Sequence, residues 1–111
     1  MAVQILENAG AFTNPGADPN HFVEHFRSAD LSVGTYSIPA LGVDDQTPHS
    51  EDEIYVVYAG AATVVTPSGA ERVGPGTVIF VPAGEDHRFE EISADLAMVV
   101  VFAPPYESRR L

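Results

Sequence analysis

Short runs of β-branched and aromatic residues, separated by turn-forming residues, recur along most of the chain. The densest run is IYVVY at 54–58, a composition typical of β-strands. The sequences PSG, GPG and PAG at 67–69, 74–76 and 82–84 are typical of turns. The pattern predicts strands at residues 22–28, 31–38, 54–58, 61–66, 77–81, 87–92 and 95–103.

No stretch of ten residues combines the apolar periodicity of a helix with recognisable caps. Many short strands with turns at regular intervals indicate an all-β sandwich or barrel, and the pattern favours neither of the two. The first twenty residues include the turn-rich sequence NPGADPN at 14–20, so residues 1–20 are predicted to be loosely ordered. The same is predicted for the tail at 104–111.

The length of 111 residues provides for one domain, so we predict a single domain over 1–111. The longest apolar run, LAMVVVFAPP at 96–105, is half the length of about 20 residues that a membrane helix needs. It therefore predicts a buried strand. The first residues, MAVQILENAG, lack the basic stretch and long apolar core of a secretory signal, which favours a cytoplasmic protein.

Sixteen acidic residues against five arginines and no lysine give a formal net charge of −11. Such a chain is repelled by phosphate backbones and by anionic membranes, so a small-molecule ligand or a protein partner is favoured over nucleic acid. The absence of cysteine excludes disulfides, thiolate metal sites and cysteine nucleophiles. Any metal ligands must be nitrogen or oxygen donors, which suit iron, manganese, zinc, nickel or copper.

Two segments carry most of the candidate chemistry, GVDDQTPHSEDE at 42–53 and GTVIFVPAGEDH at 76–87. In residue types and spacing they resemble the two sequence motifs of the cupin superfamily. The second segment matches the second motif at Gly76, Pro82, Gly84 and His87, with Glu91 where the family often has Asn. The resemblance covers residues 42–91 and implies an all-β double-stranded β-helix, the jelly-roll barrel of cupins.

The first segment matches the first cupin motif in part. His49 and Glu53 stand where the family has its second His and its Glu, and Gly60 follows at the family's spacing. The first His of the motif is replaced by Thr47, which is a poor metal ligand. The resemblance implies one divalent metal ion inside the barrel, bound by His49, Glu53 and His87.

The ligand that replaces the missing His stays open between Gln46, Glu51 and a water molecule. Gln46 lies beside that position and can supply a carbonyl oxygen, and a water molecule can do the same. Glu51 is an alternative carboxylate to Glu53, because its spacing from His49 imitates the missing His pair; Glu53 is preferred because it keeps the count to Gly60. In an extended strand His49 and Glu53 would lie about 13 Å apart, so the chain must bend between them.

Four further side chains outside the proposed metal site are charged or can bind a metal. His21 and His25 are interpreted as surface or rim residues rather than a second metal pair, with His25 a candidate for the barrel mouth. Arg88 is predicted to point outward, since side chains alternate along a strand. Arg27 is the candidate for an anion-binding side chain in the cavity.

A divalent ion with two imidazoles, one carboxylate and open positions suits oxygenase chemistry with iron, or isomerase and lyase chemistry with zinc, manganese or nickel. We therefore expect a metal-dependent enzyme that acts on a small organic molecule. The alternatives are a non-catalytic binding or sensing protein and, less favoured, a storage protein. The resemblance also implies a homodimer, in which residues 2–12 would form part of the contact or cover a sheet edge.

Overall fold

The computed structural model describes residues 2–109, and these contain six strands and no helix. In chain order the strands are β1 His21–Arg27, β2 Ser32–Ile38, β3 Asp52–Thr66, β4 Gly69–Val73, β5 Val78–Val81 and β6 Arg88–Ala103. All pairings are antiparallel in the order β1-β2-β6-β3-β4, and β5 also pairs with β3. The predicted all-β class is confirmed, and the arrangement is consistent with a jelly roll. Within these residues there is no helix that could span a membrane.

Strands β3 and β6 are single long strands where the sequence pattern predicted two shorter ones each. Register shifts between Val57 and Thr63 bend the β3–β6 pair, and Gly60 lies in this bend with a φ of 85°. A Cβ atom at Gly60 would lie 2.3 Å from the carbonyl oxygen of Asp95. The two backbones therefore approach too closely for any residue except glycine, and the bend curls the sheet around its core.

Strand β4 has no counterpart in the sequence prediction. It forms a hairpin with residues 62–66 of β3. Its sequence, GAERV, is exposed except for Val73, so it has neither the β-branched density nor the alternation on which the prediction depended. Pairing with a long neighbouring strand, rather than its own side chains, makes this segment a strand.

Alternation along β3 determines what faces the interior. Glu53, Tyr55 and Val57 are each 1% exposed, whereas Ile54 and Tyr58 are exposed on the outer face. The inner row packs against a core contributed mainly by β2 and β6. Its largest apolar members are Ile38, Phe89, Ile92, Leu96, Met98, Val100 and Phe102. A carboxylate and a phenol are thereby held inside the barrel next to apolar side chains.

The segment before β1 lies across the outer face of the sheet. The backbone N–H of Gly10 donates to Thr35 Oγ1 at 2.8 Å, and that of Thr13 donates to Ser37 Oγ at 3.1 Å. Gly10 also lies against the ring of Tyr58, two strands away from β2. This segment therefore covers a face of its own sheet rather than the predicted edge, and a dimer contact through residues 2–12 stays a prediction.

The single domain over 1–111 stays a prediction, and so does loose order at the two ends. Residues 110 and 111 of the predicted tail lie outside the described residues. Within the described part of the tail, the ring of Tyr106 packs against Phe22 and Phe102, at centroid distances of 5.3 and 4.8 Å.

Candidate metal centre

Three side chains from separate segments converge inside the barrel. One ligand atom each from His49, Glu53 and His87 lies within 4.8 Å of the others, so this group could hold a metal ion. Glu53 projects from the inner face of β3, and His87 directly precedes β6. Strand β3 begins only at Asp52, which leaves His49 in the preceding loop and allows it to turn toward Glu53.

The orientation of His87 is fixed by its backbone surroundings. Its Nδ1 lies 2.9 Å from the carbonyl oxygen of Glu85, which makes Nδ1 the protonated nitrogen and leaves Nε2 for an ion. Nε2 is 2.8 Å from Glu53 Oε1 and 3.0 Å from the Tyr55 hydroxyl. Burial lowers the pKa of His87, but the adjacent Glu53 carboxylate and the hydrogen bond to the Glu85 carbonyl outweigh burial and raise that pKa above its usual value. The site thus attracts a cation.

Glu53 is a buried carboxylate without satisfied hydrogen bonds. Neither of its oxygens accepts an aligned hydrogen bond, although Oε1 is close enough to His87 Nε2 for an ion pair. Buried charges are stable only when they are paired or bind a metal. An ion between this carboxylate and the two imidazoles would satisfy it, and the donor set fits a divalent metal.

His49 is half-buried and neutral at physiological pH. Burial lowers its pKa; the proximity of His87 lowers it further, and the attraction of Glu53 opposes the shift without cancelling it. The neutral form is the one that binds metals.

Gln46 stands where the fourth ligand was expected. Its carbonyl oxygen Oε1 lies 3.1 Å from His49 Nε2 and accepts a hydrogen bond of 2.9 Å from Tyr55. Its amide nitrogen donates to Asp44 Oδ2 at 2.7 Å. Because the amide nitrogen is held by Asp44, the amide oxygen faces His49 and Tyr55.

Asp44 is a second buried carboxylate, and no sequence motif marked it as part of the site. It is 8% exposed and accepts hydrogen bonds from the Tyr36 hydroxyl at 2.7 Å and the Phe89 N–H at 2.8 Å, besides that from Gln46. Burial, with the charge of Asp44, raises the pKa of Tyr36 and keeps it a donor. The only sequence feature that pointed to Asp44 was its position two residues before Gln46. The adjacent Asp45 has the same side chain, so the sequence does not distinguish the buried aspartate from the exposed one.

Glu51, the alternative carboxylate, points away from this group. It accepts hydrogen bonds from the Ser50 hydroxyl and from the backbone N–H groups of Glu107 and Arg109, the latter two at 3.0 and 3.3 Å. Burial by itself raises the pKa of Glu51, but these hydrogen bonds outweigh it and hold that pKa below its usual value. Glu51 fastens the C-terminal segment to the loop before β3 and is not part of the converging group.

The remaining candidates lie outside this group. His25 Nε2 is 2.7 Å from Thr35 Oγ1 under the N-terminal segment, so its assignment to the barrel mouth was wrong, and His21 does not join the group either. Arg27 pairs with Glu24 at 3.1 Å and does not line the cavity, which corrects its assignment as an anion-binding residue. Arg88 is exposed and lies beside an outer glutamate, as predicted.

A cavity of about 250 Å³ opens next to His49. Phe22, Phe102 and Tyr106 form an aromatic wall, and the ring of His49 contacts Phe102 at a centroid distance of 5.0 Å. Its other lining residues are Asn20, Tyr36, Asp45, Gln46, Thr47, Tyr55 and Val100. Glu53 and His87, which are 1% and 2% exposed, do not line the cavity.

Comparison with known proteins identifies the family of the chain. The family model for the cupin domain matches residues 32–103, which include His49, Glu53 and His87. The chain belongs to the cupin family. A relative from Streptomyces coelicolor, the uncharacterized protein SCO3923, is 39% identical over 89 residues, covering 80% of this chain and 85% of its own length.

Solved structures show the same fold at lower identity. The DMSP lyase DddQ from Ruegeria pomeroyi has a TM-score of 0.70 at 21% identity, over 90% of this cupin and 54% of that chain. The polyketide cyclase RemF from Streptomyces resistomycificus has a TM-score of 0.67 at 22% identity, over 94% of this cupin and 80% of that chain. These likenesses support the jelly-roll assignment.

Proposed function

We propose that this cupin binds one divalent metal ion through His49, Glu53 and His87 and uses it to transform a small organic molecule. The observation that carries the proposal is the buried Glu53 carboxylate, which lacks aligned hydrogen bonds and faces two imidazoles. A buried carboxylate with a purely structural role would instead accept hydrogen bonds, as that of Glu51 does.

We assign the fourth ligand position to Gln46 Oε1 rather than to water. This oxygen already lies 3.1 Å from His49 Nε2, and Asp44 prevents the amide from rotating its nitrogen into that place. A rotated amide would put its N–H groups toward the centre and its oxygen against the Asp44 carboxylate, which is unfavourable at both ends. Asp44 is therefore a positioning residue for the centre.

When bound, a divalent ion supplies Lewis acidity toward a substrate oxygen, or a site for O₂ chemistry if it is iron. Tyr55 is the proton-holding group of this chain at the centre. Its hydroxyl lines the cavity and lies 3.0 Å from His87 Nε2. Burial raises the pKa of Tyr55 well above its usual value, with the charges of Glu53 and Asp44 adding to the effect, so Tyr55 stays protonated. Its proton, which Gln46 Oε1 accepts in this structure, can pass to a bound substrate once that hydrogen bond is exchanged.

The enzyme function is favoured over binding or sensing because polar groups converge on the cavity. The test is to load metal-free protein with Fe(II), Mn(II), Zn(II), Ni(II) or Cu(II) in turn and to screen small alcohols, phenols and amines for turnover and O₂ uptake. Metal-dependent turnover that is lost in Tyr55→Phe, with metal content unchanged, supports the proposal. Stoichiometric metal without any turnover would favour the binding function instead.

We also propose that the part of the outer sheet face that the N-terminal segment leaves exposed is a contact between two copies of this chain. Cross-strand pairing aligns apolar side chains there in two rows, Val33, Val101, Ile54 and Phe80 in one and Val99, Val56 and Val78 in the other. Val78 and Phe80 are 64% and 60% exposed. A chain of net charge −11 repels its own copy across most of its surface, and these rows contain no charge.

The cytoplasmic location stays a prediction.

A further inference from the structure

The aromatic wall of the cavity is already assembled without a ligand. The centroid of the Phe22 ring lies 5.3 Å from that of Tyr106 and 6.1 Å from that of Phe102, and these two are 4.8 Å apart. Such mutual packing holds each ring in place and offers a preformed surface for a flat, unsaturated group. The volume of about 250 Å³ is below the range of roughly 300–1,000 Å³ of drug-sized sites, so a single ring with a short substituent fits.

The opposite wall offers hydrogen-bond acceptors. The side-chain amide of Asn20 uses its N–H groups on Asp45 Oδ1 at 2.8 Å and on the Val43 carbonyl at 3.1 Å. The Gln46 amide nitrogen is engaged by Asp44. The polar atoms that remain available to a ligand on this wall are mainly oxygens, which accept hydrogen bonds, and they include the exposed carboxylate of Asp45 at the mouth of the cavity. Acceptors of this kind select ligands with O–H or N–H donors.

The charge around the cavity disfavours anions even with a metal bound. Glu53 belongs to the centre, Asp44 holds Gln46 beside it, and Asp45 lines the cavity; these three carboxylates carry one charge more than a divalent ion neutralises. None of the four arginines in the described part of the chain lines the cavity. They are Arg27 beside Glu24, Arg72 beside Ser93, Arg88 beside Glu90, and Arg109 beside Ser50.

We infer that the site takes a small neutral or cationic compound that combines an aromatic or otherwise planar unsaturated part with a hydroxyl or amine donor, and that it rejects free carboxylates. This inference rests on the proposed function in that the cavity beside the metal centre is the substrate site. The planar part lies against the wall of Phe22, Phe102 and Tyr106, and the donor faces Asp45.

The test uses three probes of similar shape that differ in charge: benzylamine, benzyl alcohol and benzoate. Binding is measured by ligand-observed NMR at pH 7.5, on Zn(II)-loaded and on metal-free protein. We expect benzylamine and benzyl alcohol to bind and benzoate to bind at least about tenfold more weakly, in both forms. Asp45→Asn should lower the benzylamine-to-benzoate ratio about threefold, the size expected for one exposed charge. Glu71→Gln on the exposed strand β4 removes the same charge away from the cavity and should leave the ratio unchanged.

Benzoate binding as tightly as benzyl alcohol, equal effects of the two variants, or no binding of any probe would each overturn the inference. Metal content is measured on the same samples by elemental analysis. An empty centre under loading conditions counts against the proposed function alone, because the order of the probes on metal-free protein tests the charge selection separately.

Discussion

Glu53 and Glu51 are two buried glutamates with opposite roles, so replacing each by Gln should produce opposite effects. Glu53 has no aligned hydrogen bond, and its Oε1 lies 2.8 Å from His87 Nε2. In metal-free Glu53→Gln, the new amide can donate to that nitrogen, and a buried charge is removed. Desolvating an unpaired carboxylate costs several kcal/mol, of which the His87 contact already offsets a large part. At a pH above the raised pKa of His87, where its ring is neutral, we expect a gain in the free energy of unfolding of about 1 kcal/mol, or roughly 4 °C in melting temperature.

The same Glu53→Gln change should remove most of the metal affinity, because a neutral amide replaces the only anionic ligand of the group. Glu51→Gln should do the reverse. It weakens charge-assisted hydrogen bonds from the backbone of Glu107 and Arg109, each of which contributes about 1.5–3 kcal/mol, and should lower the melting temperature with metal affinity nearly intact.

The assay is thermal unfolding of metal-free protein by circular dichroism, together with metal titration by calorimetry, on wild type and both variants. Unchanged metal affinity in Glu53→Gln would refute the assignment of the carboxylate ligand. A loss of metal affinity in Glu51→Gln alone would mean that the first motif is aligned two residues out of register.

Three further predictions concern the surroundings of the centre. Gln46→Ala and Asp44→Asn should both weaken metal binding, the second by roughly tenfold to a hundredfold. If both variants bind metal as tightly as wild type does, the fourth ligand position belongs to water. Because the pKa of His87 is raised, the stability that its charge gives to metal-free protein is fully present below pH 6.5 and is lost as the pH rises through that raised pKa. Metal affinity should increase over the same pH window, because His87 becomes neutral. Melting temperatures between pH 6 and 8 should therefore fall without Zn(II) and rise with it, and parallel trends would contradict the site. Phe80→Glu should convert a dimer into a monomer in light scattering, and a wild-type monomer would refute the proposed outer-face contact.

The sequence predicted the architecture well because its signals are local. The β-branched run at 54–58 became the first half of β3, and alternation then placed Glu53 and Tyr55 on the same inner face. The motif spacing brought His49 and His87 to the same carboxylate, as the cupin resemblance implied. The joining of strands across Gly60 was not predictable, since it depends on a close approach to Asp95 far along the chain.

What the sequence did not predict depends on tertiary partners. Asp44 and Asp45 are adjacent and chemically alike, yet one is buried beneath Tyr36 and the other is exposed at the cavity mouth. Tyr106 lies in a tail predicted to be loose, and it becomes a cavity wall only because Phe22 and Phe102 lie beside it. No local pattern encodes these contacts, and they determine which ligands the cavity accepts.

The most direct test of the central claim is the metal content of purified protein, measured by elemental analysis for wild type, His49→Ala, His87→Ala and the double variant. His25→Ala is the matched control, because His25 contacts Thr35 and lies outside the group. The account predicts close to one divalent ion per chain in wild type and in His25→Ala, a large loss in each single ligand variant, and none in the double variant. Full occupancy in the folded double variant would contradict it.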